Sequence, residues 1–474
     1  MENKDQENAT IALVSNPVNQ ENDKSLSIKS LLEGLFYQWF PFFISLLSSS
    51  LSDFLNTKIV SSNFEAKYID AVGLWWTITF MICSVPVFGM ATAQDTLVAQ
   101  GSGRKDYKEC IRVLFISSIS IFTVSIGTSM VLLFGKQGIF WFSSDSEVVD
   151  LTSRYLHTII PDVFIKNQGT LLSMFMFAQL VFIPSMIISI TFNLLCPIIC
   201  YVLVISLNLG YLGVVYAAII RDSCIMIGNT LYLIFSSDFE QIRIKFRLFF
   251  GASWKAYLSL GIPAIFLSIL ENWSYLLLAL FMGRLGTDYL AANVILTNIF
   301  SCLFMLPSAI GYAMVALIGN SLGENNPYKA RKLIGVGVVK GAILMLIFIL
   351  PLYFFKEGVA KFCFNQHEKI IAIFLDAFPI CLIFSFFETL NTCFQMSLIG
   401  MVKQIISSIC GIFGYGAFCL IFGYIFVFKM QFKDKGFWMA TTLGAIVSMI
   451  TAIIIILCSN FKKLAQEASA YIEQ

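Results

Sequence analysis

The stretch LSLGIPAIFLSILENWSYLLLALFMG, Leu258 to Gly283, decides how this chain is read. A helix crossing a bilayer takes about 20 mostly apolar residues, and this run is long enough to do so. Yet it carries one carboxylate, Glu271, near its middle. A bare carboxylate at that depth costs at least ~2.5 kcal/mol when it faces lipid, so Glu271 is expected to face a cavity or a partner. On that ground alone it is a candidate functional residue.

The rest of the chain has the same character. Its 474 residues are 58% hydrophobic, 15% aromatic and only 13% charged, with a mean hydropathy of +0.80. One water-soluble core cannot hide that much apolar surface, so the expected class is an all-α integral membrane protein of the multi-pass kind. Apolar windows bounded by charge clusters place twelve transmembrane helices. They fall at Leu31 to Asn56, Ile69 to Gln94, Cys110 to Gly135, Val148 to Phe175, Pro184 to Asn208, Val214 to Phe235, Ala256 to Met282, Leu290 to Gly319, Leu333 to Phe355, Ile370 to Phe394, Ile405 to Phe428 and Phe437 to Cys458. Residues 1–30 are polar and read as a disordered cytoplasmic tail, residues 236–255 as a cytoplasmic loop between two lobes (31–235 and 256–458), and residues 459–474 as a second tail.

A net charge of +2 gives no reason to expect a nucleic-acid partner. Most of the twelve cysteines lie in or beside apolar runs without metal-ligand spacing and read as small buried hydrophobes, so neither a metal nor a cofactor is expected. The only histidines are His157 and His367, too few to build an intramembrane catalytic cluster. With both termini inside, basic residues in inner segments outnumber those in outer loops by seventeen to ten, which favours cytoplasmic termini.

The two halves repeat. Pro41 pairs with Pro263, Pro86 with Pro307, Gly103 with Gly323, Pro161 with Pro379 and Ala218 with Ala440, at offsets between 218 and 222 residues. Six crossings per half give both halves the same orientation in the membrane, so the repeat is parallel. In known transporters such lobes rock against each other about a site at the midplane.

With these residues in view a resemblance stands out. The stretch AVGLWWTITFMICSVPVFGMATAQDTLVAQGSGRKDYKE, Ala71 to Glu109, resembles the second crossing and following loop of the multidrug and toxic compound extrusion (MATE) family, in its eukaryotic form. The segment DTLVAQGSG is its most specific part. The Leu258 run and YLAANVILTNIFSCLFMLPSAIGYAMVALIGNSLGENNPYKARK, Tyr289 to Lys332, resemble crossings seven and eight of the same family. The resemblance implies a two-lobed secondary antiporter that exports amphipathic, often cationic, organic compounds in exchange for protons or sodium. It also implies roles: Glu271 matches the acidic residue of crossing seven, Glu388 an acidic position of crossing ten, Asn298 a position that is glutamate or asparagine among eukaryotic members, and Asp53 sits where several bacterial members carry an aspartate. Leu276, where some animal members are acidic, and Ser397, where arginine is common, depart from the pattern.

The bottom-up chemistry runs the same way. A coupled exchanger needs a group that holds a proton or a cation but not both, and a partly buried carboxylate does this. Glu271 and Glu388 are the coupling candidates, with Asp53 a contingent third. Tyr275 shares the face of Glu271 and Trp273 points nearly opposite; a ring beside a carboxylate favours cations, although both aromatics also fit ordinary helix packing. Asp162 and Lys166, four apart, are expected to pair locally, while Arg221 and Asp222 splay about 100° apart with no partner nameable. Asp95 and Gln100, at the inner end of crossing two, read as capping or inner-gate residues ahead of substrate contacts. Prolines such as Pro41 and Pro263 are candidate bending points, though helices in lipid tolerate proline anyway.

The expected partners are a small organic substrate, protons or Na+, and the lipid bilayer. The chain reads as a monomer, in the plasma membrane or a vacuolar or other internal membrane. The competing reading is a flippase for lipids or lipid-linked sugars, which should show a cavity lined by several basic residues; midmembrane charges are mainly acidic outside Lys166, Arg221 and Lys340.

Overall fold

The structure is a computed structural model. It describes residues 27–139, 145–236, 239, 254–283, 285–364 and 367–470, and the side chains of these except 66, 137, 267, 271, 273–283 and 470. Most of the expected amino-terminal tail and inter-lobe loop therefore lies outside the described residues. Lipid offers no hydrogen bonds to the backbone, so a chain this apolar satisfies its amides within helices, and no strand occurs among the described residues.

In chain order the first lobe contains α1 (Ile28–Asn63), α2 (Ala66–Thr79) continued through a π-helical turn into α3 (Val85–Gly103), α4 (Tyr107–Phe134), the short α5 (Lys136–Ile139), α6 (Ser146–Ala178), α7 (Ile183–Tyr201) and α8 (Gly213–Phe235). The second contains α9 (Trp254–Gly283), α10 (Thr287–Gly323), α11 (Pro327–Phe354), the short α12 (Lys356–Phe364), α13 (Glu368–Gly400), α14 (Gln404–Gly411), α15 (Leu420–Tyr424) and α16 (Lys433–Leu457). Two π-helical segments, Ile412–Cys419 and Ile425–Lys429, join α14 and α15 into one span. Among the described residues ten spans are long and apolar enough to cross a membrane; α6, which carries Glu147, Asp150, Arg154, Asp162 and Lys166, and α9 bring the long helical spans to twelve. Several run past the expected ends, α1 to Asn63 and α10 to Gly323, because capped polar turns extend beyond the apolar windows. The segment read as a carboxy-terminal tail forms a further helix, α17 (Phe461–Ala470).

The repeat is written into the backbone. Lys105 and Asn325 take positive φ (60° and 58°), and the next residues, Asp106 and Asn326, bond back to the Gly101 and Ser321 carbonyls at 2.8 and 2.9 Å. This is the left-handed cap that closes a helix. The same two side chains then cap α4 and α11, accepting from the amides of Glu109 (3.2 Å) and Lys329 (2.8 Å). A second pair, Leu180 and Val402 (φ 66° and 60°), ends α6 and α13 alike.

The lobes meet where α3 and α10 cross. A Cβ added to Gly103 would collide with the Asn320 backbone, and one added to Gly323 with the Gln100 backbone, so each repeat places its glycine against the other's chain. Further along, a Cβ on Gly319 would lie 2.7 Å from Ala99 Cβ and one on Gly89 2.7 Å from the Ala264 carbonyl. Small residues allow this approach where apolar burial supplies no driving force. By contrast α2, the amino-terminal part of the same span as α3, packs on α1 and α6 of its own lobe. At the carboxy-terminal end of α3 Arg104 donates to the Ala468 carbonyl of α17, which itself packs on α10 and α11.

Gly323→Leu should keep the inner ends from closing, at about 1–3 kcal/mol of overpacking. Labelling of an introduced cysteine at position 99 by an impermeant maleimide should then rise from the inner side; unchanged labelling would show that the crossing is not the seal.

Candidate functional site

Glu388 lies on α13, about 18 Å from its carboxy-terminal end at 1.5 Å per residue. Its side chain is only 6% exposed. The Tyr415 hydroxyl donates to Oε2; Asn391 Nδ2 is 3.4 Å from the same oxygen and 3.3 Å from the tyrosine oxygen, and Thr392 Oγ1 is 3.5 Å from Oε1. The i, i+3, i+4 spacing puts Glu388, Asn391 and Thr392 on one face. Tyr415 belongs to the π-helical segment Ile412–Cys419, whose wider turns rotate the register of the residues within it. Below this cluster Gln395 donates to Ser448 Oγ (2.7 Å) and accepts from Ser407 Oγ (2.5 Å). Thr96 of α3 then reaches the Ile399 carbonyl (3.2 Å) and Gln404 Oε1 (3.5 Å). Polar groups thus line α13 from Glu388 to the other lobe.

The first lobe holds a different cluster. Arg221 grips its neighbour Asp222 through both Nε and Nη2 (2.7 and 3.1 Å) and reaches Asp53 Oδ1 through Nη1 (3.0 Å). The splay of adjacent residues does not keep Arg221 and Asp222 apart, because the long arginine side chain folds back along α8. Nor do Asp162 and Lys166 form the expected local pair among the ion pairs of the described residues. Asp162 is buried beside Asp222 with Oδ1 unbonded, whereas Lys166 is exposed. Asp53, half exposed, is a partner of Arg221.

At the lobe interface Asp95 is 5% exposed and its Oδ1 accepts no hydrogen bond. It lines a small cavity with Phe177, Ala178, Tyr312, Val315 and Ala316. Gln100, five residues on, lies at the α3–α10 crossing. Pro41 and Pro263 sit inside α1 and α9, the latter beside the Gly261–Met90 and Ala264–Gly89 approaches. Asn298 is exposed on α10, across the helix from Leu296 and Phe300, which face α13. It is not brought onto the face of Glu388. The side chains of Glu271, Trp273 and Tyr275 lie outside those described; α9 runs between α3 of the first lobe and the α14 span of its own.

Asn391 and Thr392 were readable as companions of Glu388 from their spacing in ETLNT. Tyr415 was not, because its direction depends on the π-helical register.

Arg221→Ala should be strongly destabilising, by about 3–5 kcal/mol, because it strands a buried carboxylate. Thermal unfolding in detergent should show a smaller loss for Arg221→Ala with Asp222→Ala together; an equal or greater loss in the double variant would contradict the pairing.

Comparison with known proteins agrees with this architecture. The MatE family profile matches the chain twice, over residues 41–202 and 263–425, once per lobe. Protein DETOXIFICATION 14 of Arabidopsis thaliana is 24% identical over 82% of this chain and 82% of its own length. Human multidrug and toxin extrusion protein 1 is 23% identical over 91% and 75%. Among solved structures, the eukaryotic MATE transporter AtDTX14 superposes with a TM-score of 0.86 at 20% identity, covering 93% of this chain and 99% of that one. A multidrug resistance MATE transporter in an outward-facing conformation gives 0.81 at 17% identity, over 92% and 97%. A family profile that recurs across both lobes, on helices repeated turn for turn, establishes that this chain belongs to the MatE family of membrane transporters.

Proposed function

We propose that this chain is a secondary antiporter that exports small organic cations in exchange for protons, by alternating access of its two lobes. The observation that carries the reading is Glu388, a carboxylate buried near the middle of crossing ten and held by a tyrosine hydroxyl and an asparagine amide. A carboxylate so placed takes a proton or a cation in turn, and a group that cannot hold both couples the two fluxes. Glu271, on α9 of the same lobe, is its coupling partner. Asp53 is held by Arg221 and serves the first lobe's charge network instead.

Two of the three midmembrane basic residues also speak against a phosphate-bearing cargo. Arg221 is occupied by two carboxylates, and Lys340 donates to the Leu32 carbonyl (3.0 Å) between the rings of Phe36 and Trp39. The names of the plant and mammalian relatives, detoxification and toxin extrusion proteins, accord with this direction. The closed α3–α10 crossing at the end carrying Arg104 and Lys329 is the cytoplasmic gate in its shut state, with both termini in the cytoplasm. One chain suffices, since each lobe supplies its half of the gate.

In inside-out vesicles an acid-inside gradient should drive uptake of a fluorescent organic cation, and Glu388→Gln or Glu271→Gln should reduce it to the level of protein-free vesicles. Sodium-driven uptake indifferent to pH would overturn proton coupling, and wild-type rates in Glu388→Gln would remove that residue from the site.

A further inference from the structure

The cavity at the inner crossing contains a carboxylate that neither the Glu388 cluster nor the seal itself uses. Asp95 enters from α3, Phe177 and Ala178 from the end of α6, and Tyr312, Val315 and Ala316 from α10. The wall is therefore split between the lobes. Phe42 of α1 packs on two of these lining residues, its ring 4.9 Å from that of Phe177 and 5.2 Å from that of Tyr312, and Phe177 in turn stacks on Phe182 at 4.7 Å. No lysine or arginine lines the cavity. Its volume, about 10 Å³, holds one water at most, so nothing larger enters while the lobes are closed.

A buried carboxylate oxygen without a donor raises the free energy of the state that buries it. Parting of α3 and α10 would uncover Asp95 together with Phe42, Phe177 and Tyr312, one acidic group among three aromatic rings. That combination suits a cation with an apolar body, through charge and the ring quadrupole together. A ligand that pairs with Asp95 only in the parted form also shifts the lobes toward that form.

We propose that Asp95, with Phe42, Phe177 and Tyr312, forms a capture site for the cationic head of an organic substrate, a quaternary ammonium or protonated amine, exposed only when the inner ends of the lobes separate. The site lies on the lobe interface, apart from Glu388 within the second lobe. It rests on the export reading for its direction: the substrate meets Asp95 first, from the cytoplasm, and Glu388 later.

The test is equilibrium binding of radiolabelled tetraphenylphosphonium to the full-length protein in nanodiscs without any gradient, alongside uptake kinetics of the same cation in inside-out vesicles. Asp95→Asn should raise both Kd and KM about tenfold or more while leaving kcat within about twofold, and Asp95→Glu should recover most of the affinity. Phe42→Leu and Tyr312→Leu should weaken binding in the same sense, so the site stays testable if Asp95→Asn folds poorly. Wild-type Kd and KM in Asp95→Asn, or a lost kcat with KM unchanged, would overturn the site and leave proton antiport standing. Asp95-dependent binding in a protein that shows no pH-driven uptake would retain the site and overturn the antiport reading.

Discussion

The structure depends on one close approach, the crossing of α3 and α10 where Gly103 and Gly323 each lie against the other helix's backbone. Two apolar lobes in lipid gain little by burying apolar surface against each other, so contact has to come from backbones near enough for dispersion and polar pairing. The glycines permit that nearness and the neighbouring polar groups use it. Asn320 donates to the Ala178 carbonyl (2.9 Å) of the opposite lobe, and Thr96 to the Ile399 carbonyl (3.2 Å). Because both repeats supply the same elements, the joint is symmetric in construction and can part without breaking either lobe.

The chemistry on the two sides is not symmetric. The second lobe buries Glu388 against Tyr415, Asn391 and Thr392, whereas the first binds its arginine to two aspartates and sets a third carboxylate, Asp162, beside them. A charge network of that kind resists rearrangement, since removing either partner strands a buried charge. A carboxylate held by a hydroxyl and an amide can change its protonation with less disruption around it. On the proposed reading this difference gives coupling to the second lobe and rigidity to the first.

Much of this was legible from residues alone. Apolar run length set the number of long helices, and the proline and glycine offsets exposed the repeat, because both features reflect local chain requirements that lipid makes strict. Glu388 was legible for the same reason. What the residues could not convey was direction. Arg221 folding back on its own neighbour, Asp162 turning to Asp222 instead of Lys166, and Tyr415 brought to Glu388 by a π-helical register all depend on how helices rotate against one another. Helix α17 went unread because its apolar positions are few and its role is to lie across others. Asp95 stood out as a carboxylate near the end of crossing two, but its aromatic cavity is assembled from three helices distant in sequence.

The proposed coupling requires that the protonation state of Glu388 govern whether the crossing is shut. Spin labels placed at positions 105 and 325, in the paired caps, would report it through the distance between them by double electron–electron resonance. The account predicts a short distance in the wild type at high pH, and a second, longer population that grows as pH falls and dominates in Glu388→Gln. A single short distance at every pH, unchanged in Glu388→Gln, would contradict it.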